Sequence, residues 1–344
     1  MSPYKILKFL CLITAVLLPS VASAQPSGAP VPVVKVAVLQ FGTLNWEMDV
    51  IREHQLDRRH GFKLDVMPVG GKNASSVALQ SGAVDLIYSD WVWVNRQRHA
   101  RRMYSFSPVS AAAGGVYLQP DLKADSLSDL DGLRLGVAGG AVDKSWLLLQ
   151  AYAKQSGVEL QKSVQPVFAA PPLLNKLMFD NKLEASLNFW HYSARLKAQG
   201  YHPLITVHQV LAGLGIRSQV PLVGWVVSDE WAAENDALLN NFLLASSEAR
   251  QILLTSDAEW QRIKPLTKSE DDAIFNTLRD EYRKGVLADF NTDNVKALHN
   301  LYDIFAREGG KQLTGGANTL DDSMFLMPVE CQPQQSCGVK RVSP

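Results

Sequence analysis

Val33 to Leu39 is an apolar run broken only by Lys35. A run of that kind reads as a strand covered on both faces, as in a parallel sheet with helices above and below. The next fifty residues obey that constraint. The loop from Gln40 to Trp46 leads into a helix over about Glu47 to His60, closed by Gly61, and then a strand from Lys63 to Pro68. After Gly70-Gly71 comes a short helix, Ala74 to Ser81, with Asn73 or Ser75 placed to cap its first turn. Gly82 stands where a left-handed terminator belongs, and Ala83 to Tyr88 reads as a buried strand ending in Ser89-Asp90-Trp91. The order β-α-β-α-β is the first half of a doubly wound domain.

The same order then repeats. After Ala111-Ala112-Ala113-Gly114-Gly115, Leu133 to Ala138 reads as a strand and Gly139-Gly140-Ala141 as its turn. Asp143 caps a helix to Ser156 that Gly157 stops, and Val164 to Phe168 is a strand. Pro171-Pro172 opens a helix with Leu173, Leu174, Leu177 and Met178 on one face. Ala185 to Phe189 is again a strand, with Trp190-His191 after it, and Leu222 to Ser228 is a strand that leads back to the first unit. From Asp229 the pattern is helical. One amphipathic helix carries Leu238, Leu239, Phe242, Ala249, Ile252 and Leu253. A second has Ser269 and Asp272 at capping-box spacing and stops at Gly285, and Thr292 caps a third that ends at Gly309-Gly310.

The first 24 residues set the compartment. Lys5 and Lys8 begin a leader whose apolar stretch, Phe9 to Leu18, is shorter than the ~20 residues a bilayer span needs. Ala22-Ser23-Ala24 is a small-residue cleavage site, so a signal peptide cleaved after Ala24 and a periplasmic location are expected. Cys331 and Cys337 remain in the mature chain, and an oxidising compartment favours a local disulfide between them. The 34 basic and 34 acidic residues balance, and loss of the leader lysines leaves two net negative charges, which argues against nucleic acid as partner. Arg96, Arg98, Arg101 and Arg102 read as a solvated helix face. No histidine spacing suggests a metal site, and no Gly-x-Ser-x-Gly, His-Glu-x-x-His or P-loop signature occurs.

Several motifs together resemble a known family. They are Gly61-Phe62-x-Leu-Asp-Val66, Gly70-Gly71, Ala78-Leu79-x-Ser-Gly-Ala-Val-Asp85, Leu130-x-Gly-Leu-Arg-Leu-Gly-Val137, Gly139-Gly140 and the strand Ala185 to Trp190. Over about Val34 to Ile304 the chain resembles the periplasmic substrate-binding proteins of ABC importers, in the nitrate/sulfonate/taurine-type group. The resemblance implies an α/β fold of type II: two doubly wound lobes joined by a two-strand hinge, with a helical C-terminal part. Lobe one would be 34–113 plus 225–310, lobe two 115–224, and the tail 311–344 would carry the disulfide. It further implies a monomer that captures a small organic solute between the lobes and delivers it to an ABC permease in the inner membrane. No cofactor, metal or catalysis is implied. Two other readings stay open: a periplasmic accessory serving a redox enzyme or sensor, and an enzyme like the fold-related thiamine-pyrimidine synthases. Against the enzyme stands the lack of any cysteine from Gln25 to Glu330.

Carried onto this chain, Phe41, Asn45 and Trp46 would line one wall, Asn73 and Ser75 a helix start, and Ser89, Asp90 and Trp91 a strand end. Ala141, Lys144, Asn188, Trp190 and His191 would face them from the other lobe. Where sulfonate and nitrate binders hold an anion with backbone amides and a cation, this chain offers Asp90 and Asp143 beside Lys144. Two like charges about 4 Å apart repel by ~4 kcal/mol at an effective dielectric of 20. A helix N-terminus attracts an anion by only ~0.3–2 kcal/mol. An ionised Asp90 facing the ligand therefore favours a cation or a donor-rich neutral solute. Phe41, Trp46, Tyr88, Trp91, Phe189, Trp190 and Trp225 favour a ring-containing or extended one.

Overall fold

Ten strands build two five-stranded mixed sheets in the computed structural model, which describes residues 30–330 and 337–342. The expected leader with its cleavage after Ala24, and Cys331 of the expected disulfide, lie outside those residues. Every described element belongs to one compact unit, Pro32–Pro344.

In chain order the strands are β1 (Val33–Leu39), β2 (Lys63–Val69), β3 (Leu86–Ser89), β4 (Tyr104–Ser110), β5 (Gly115–Leu118), β6 (Arg134–Ala138), β7 (Gln165–Ala169), β8 (Ala185–Asn188), β9 (His202–Thr206) and β10 (Val223–Ser228). The first sheet runs β2-β1-β3-β10-β4 and the second β7-β6-β8-β5-β9. Each has three parallel strands, then one strand antiparallel to both neighbours. That odd strand succeeds an element of the other half: β5 comes directly after β4, and β10 after the second sheet's last strand. The chain thus crosses between the sheets twice. Glycines make the crossings tight. A Cβ on Gly114 would collide with the Asn188 carbonyl oxygen, and one on Gly224 with that of Ser107.

β1 buries Val34, Val36 and Val38 almost completely, as its apolar run requires. The helix expected over 47–60 is two helices, Leu44–Glu53 and Leu56–Arg59, because Gln55 adopts a left-handed conformation with φ +51°. The next helix is Lys72–Gln80; Gly71 occupies its cap position, so neither Asn73 nor Ser75 is the cap. Further along, Asp271 rather than Ser269 caps Asp272–Gly285, its Oδ1 accepting from Ile274 N at 2.8 Å. Asn291 rather than Thr292 caps the last long helix, accepting from Asp293 N. That helix continues past Gly309 to Thr314 with a break at Gly310, φ +50°.

Arg98 departs most from its expected place on a solvated face. On the helix Trp91–His99 it turns inward, 9% exposed, and donates to Asp321, Asp229, Ser323 and the Tyr104 carbonyl at 2.6–2.9 Å. It ties the C-terminal segment to the first sheet. Among the described residues no helix is long and apolar enough to cross a membrane.

Candidate functional site

The segments after β1, β3, β6 and β8 converge on one cavity of about 240 Å³. This is where ligands bind in open α/β sheets, outside the carboxyl ends of the strands. The volume falls below the ~300–1,000 Å³ typical of pockets for drug-sized ligands, so a small molecule fits. Most of the wall is apolar, with Leu39, Leu44, Val109, Leu148, Val207 and Phe305 among the lining residues. Its charges are three carboxylates, Glu47, Asp90 and Asp143, and three cations, Lys72, Lys144 and Arg250.

Those charges form two groups. In the first, the loop after β3 places Asp90 at the start of the helix Trp91–His99, where its Oδ1 accepts from Trp93 N at 2.9 Å. Its Oδ2 lies 3.1 Å from Lys144 Nζ, so this ion pair joins the two sheets' segments across the cavity. Asp143 caps the helix Lys144–Gln155 by accepting from Ser145 N at 2.9 Å and Trp146 N at 3.4 Å. Burial works to raise the Asp90 pKa, yet the charges of Lys144 and Lys72 and the Trp93 amide outweigh it and hold it below the usual carboxylate range. For Asp143 burial wins and the pKa moves up. Burial also opposes the Lys144 charge, but Asp90 and Asp143 overcome it and raise its pKa.

The second group is Glu47, Arg250 and Tyr282. Tyr282 donates its hydroxyl to Glu47 Oε1 at 3.0 Å, and Arg250 Nη1 lies 3.4 Å from Glu47 Oε2 while donating to Ser246 at 2.7 Å. Burial pushes the Glu47 carboxyl up against the opposing pull of Arg250. His191 also lines the cavity, from the start of the helix Trp190–Ala198. Its Nδ1 is buried with no hydrogen-bond partner among the described residues. Burial, with the Arg195 charge behind it, lowers its pKa to about 3, so the imidazole is neutral at pH 7.

Of the residues expected at the site, Ser89, Asp90, Trp91, Lys144, Trp190 and His191 line the cavity. Trp91 does so as a core residue, 1% exposed, with its Nε1 donating to the Pro221 carbonyl. The other expected residues lie elsewhere, each for a local reason. Phe41 is 66% exposed beneath the Lys268 ammonium. Asn45 spends its amide on the Leu39 and Gly42 carbonyls, holding the loop after β1. Trp46 is buried edge-on against Trp190 and Trp260 and donates to the Leu266 carbonyl. Asn73 is exposed, Ser75 is buried in its helix, and Ala141 is exposed on its turn. Asn188 donates to the Pro171 carbonyl and Asn175 and accepts from Phe189 N.

Asp90 also departs from its expected part: its oxygens are committed to a helix cap and to Lys144, so it is no bare charge awaiting a cation. Glu47, Lys72, Arg250 and Tyr282 line the cavity without having been expected there. Glu47 stands in the first turn of its helix, where an acid suits the helix dipole anyway. Arg250 and Tyr282 lie 203 and 235 residues along the chain from Glu47 and carry no local signal.

No protein-family model matches the sequence, and no curated protein matches it. Solved structures do. The periplasmic aliphatic sulphonate-binding protein SsuA of Escherichia coli superposes with a TM-score of 0.65 at 18% identity, covering 81% of this chain and 93% of that one. The alkanesulfonate-binding SsuA of Xanthomonas axonopodis pv. citri, bound to MOPS, gives 0.65 at 15% identity over 86% and 98%. The desulfurization enzyme DSZB gives 0.55 at 13% identity, covering 83% and 97%. The chain has the type II periplasmic-binding-protein fold that these binding proteins share.

Proposed function

We propose that the protein is the solute-binding component of an ABC-type import system, acting as a periplasmic monomer. It holds a small organic molecule in the cavity between its sheets and hands it to a membrane permease. The observation that carries this reading is the cavity itself, a small apolar space lined from both sheets and charged at two points. The fold supports it, since binding proteins of importers share it.

The lobes would be 34–113 with 225–310, and 115–224, turning about the two crossings. Closure would join Asp90 to Lys144 and bring the Lys72 ammonium over the Phe189 ring, 5.5 Å apart here. A ligand that fits the closed state better than the open one shifts the population towards closure, which a permease can read.

A thermal-shift screen against sulfonates, sulfonamides, heteroaromatic amines, pyrimidines and flavins tests this. A solute at a hundredfold excess over its dissociation constant stabilises by about 2.7 kcal/mol, a shift such a screen detects. No shift with any solute, together with no bound molecule in the purified protein, would contradict it.

A further inference from the structure

We infer that Asp90 and Asp143 are built-in anions that bar a free sulfonate or carboxylate from this cavity, and that the cavity selects a net-neutral organic molecule whose polar group meets His191 Nδ1. This rests on the solute-binding reading and names the class of solute.

Two helices begin at the cavity wall, and each already has a carboxylate on its first amides: Asp90 on Trp93 N, Asp143 on Ser145 N and Trp146 N. A helix start that is open to solvent is a ready anion site. Here the chain fills both sites itself. Of the two cations beside them, Lys144 is paired to Asp90 at 3.1 Å, and Lys72, over the Phe189 ring, sets its charge against both carboxylates. In the second group Arg250 lies beside Glu47 and is bonded to Ser246. An incoming anion therefore adds an unmatched negative charge to a wall whose carboxylates and cations already balance. A cation meets the converse problem. His191 also lines the cavity, and its Nδ1, shut off from solvent here, has no partner among the described residues. A buried polar atom in that condition calls for a partner that the protein does not supply, and a ligand group is the one the proposal assigns to it. Much of the remaining lining is apolar, including Leu148, Val207 and the Trp190 ring.

The test compares 1-butanesulfonate with butane-1-sulfonamide, which share chain and sulfonyl group and differ in charge, by titration calorimetry on the mature protein. The wild type is expected to bind the sulfonamide at least tenfold more tightly. Asp143→Asn keeps the helix cap, since asparagine caps as well as aspartate, and removes one negative charge. It is expected to bind the sulfonate at least tenfold more tightly than the wild type does. Asp90→Asn is a second route to the same gain. A wild type that takes the sulfonate as tightly as the sulfonamide, or variants that gain nothing for the sulfonate, overturns the inference. The variant comparison decides even where both wild-type affinities are too weak to measure. Neither result touches the solute-binding reading, which falls only if no solute of any charge occupies the cavity.

Discussion

His191 and Arg98 show how differently buried basic nitrogens are treated in the two parts of the chain. Arg98 has its carboxylates and carbonyl in place, whereas His191 Nδ1 has no hydrogen-bond partner among the described residues. Replacing Arg98 with Met leaves Asp229 and Asp321 without their shared cation, and breaking such a buried arrangement costs ~3–5 kcal/mol. The partial exposure of Asp321 puts the expected loss at the low end, read as a lower urea midpoint. His191→Leu should do the reverse: removing an unsatisfied buried atom relieves ~1–3 kcal/mol, while ligand affinity falls. The histidine also sets a pH dependence. Its folded pKa, about 3, lies below the ordinary histidine value of 6.5. Its contribution is thus complete above 6.5 and is lost as pH falls towards 3, because the unfolded chain takes up the proton first. Unfolding free energy should fall by about 1.4 kcal/mol per pH unit in that window, and His191→Leu should flatten the slope. Little of this is legible in the sequence. The dipeptide Trp190-His191 after a strand points to the cavity, but Arg98 reads as surface because its carboxylate partners are over 100 residues away.

At the level of elements, the strands β1, β6 and β8 are readable in the sequence, whereas β4, β5 and β9 are not. β1 has in the structure the bounds that its apolar run predicts. β4 escapes detection because serines alternate along it, and the fold buries them: Ser105 is 0% exposed and donates to Asp229 at 2.6 Å. Caps shift by one or two residues because Ser269, Asp271 and Asp272, or Asn291 and Thr292, offer equivalent oxygens until the backbone chooses. The choice is measurable: Asn291→Ala should cost about 1 kcal/mol of stability in urea unfolding, and Thr292→Ala only ~0.3 kcal/mol. The crossings give a sharper test. Gly114→Ala forces a Cβ into the Asn188 carbonyl and should lower stability by ~1–3 kcal/mol. Gly70→Ala, with open space around its Cβ position, should change little.

For the whole molecule, the two halves are visible in the sequence as a repeated strand–glycine–helix pattern, and the sulfonate-binding proteins that superpose on the chain share the architecture it implies. The cavity's chemistry is only half visible, since Asp90, Asp143 and Lys144 each stand at a strand end or helix start that the pattern marks, while Glu47, Arg250 and Tyr282 meet only after folding. That the cavity holds a solute is the central claim, and native mass spectrometry of the protein purified without denaturation tests it directly. The wild type should carry a small-molecule adduct, or gain one from the solute screen. Ala113→Trp, which fills the cavity from the first crossing, should lack that adduct while retaining the wild-type circular dichroism spectrum. An adduct retained in Ala113→Trp, or none in the wild type under either condition, would contradict the account.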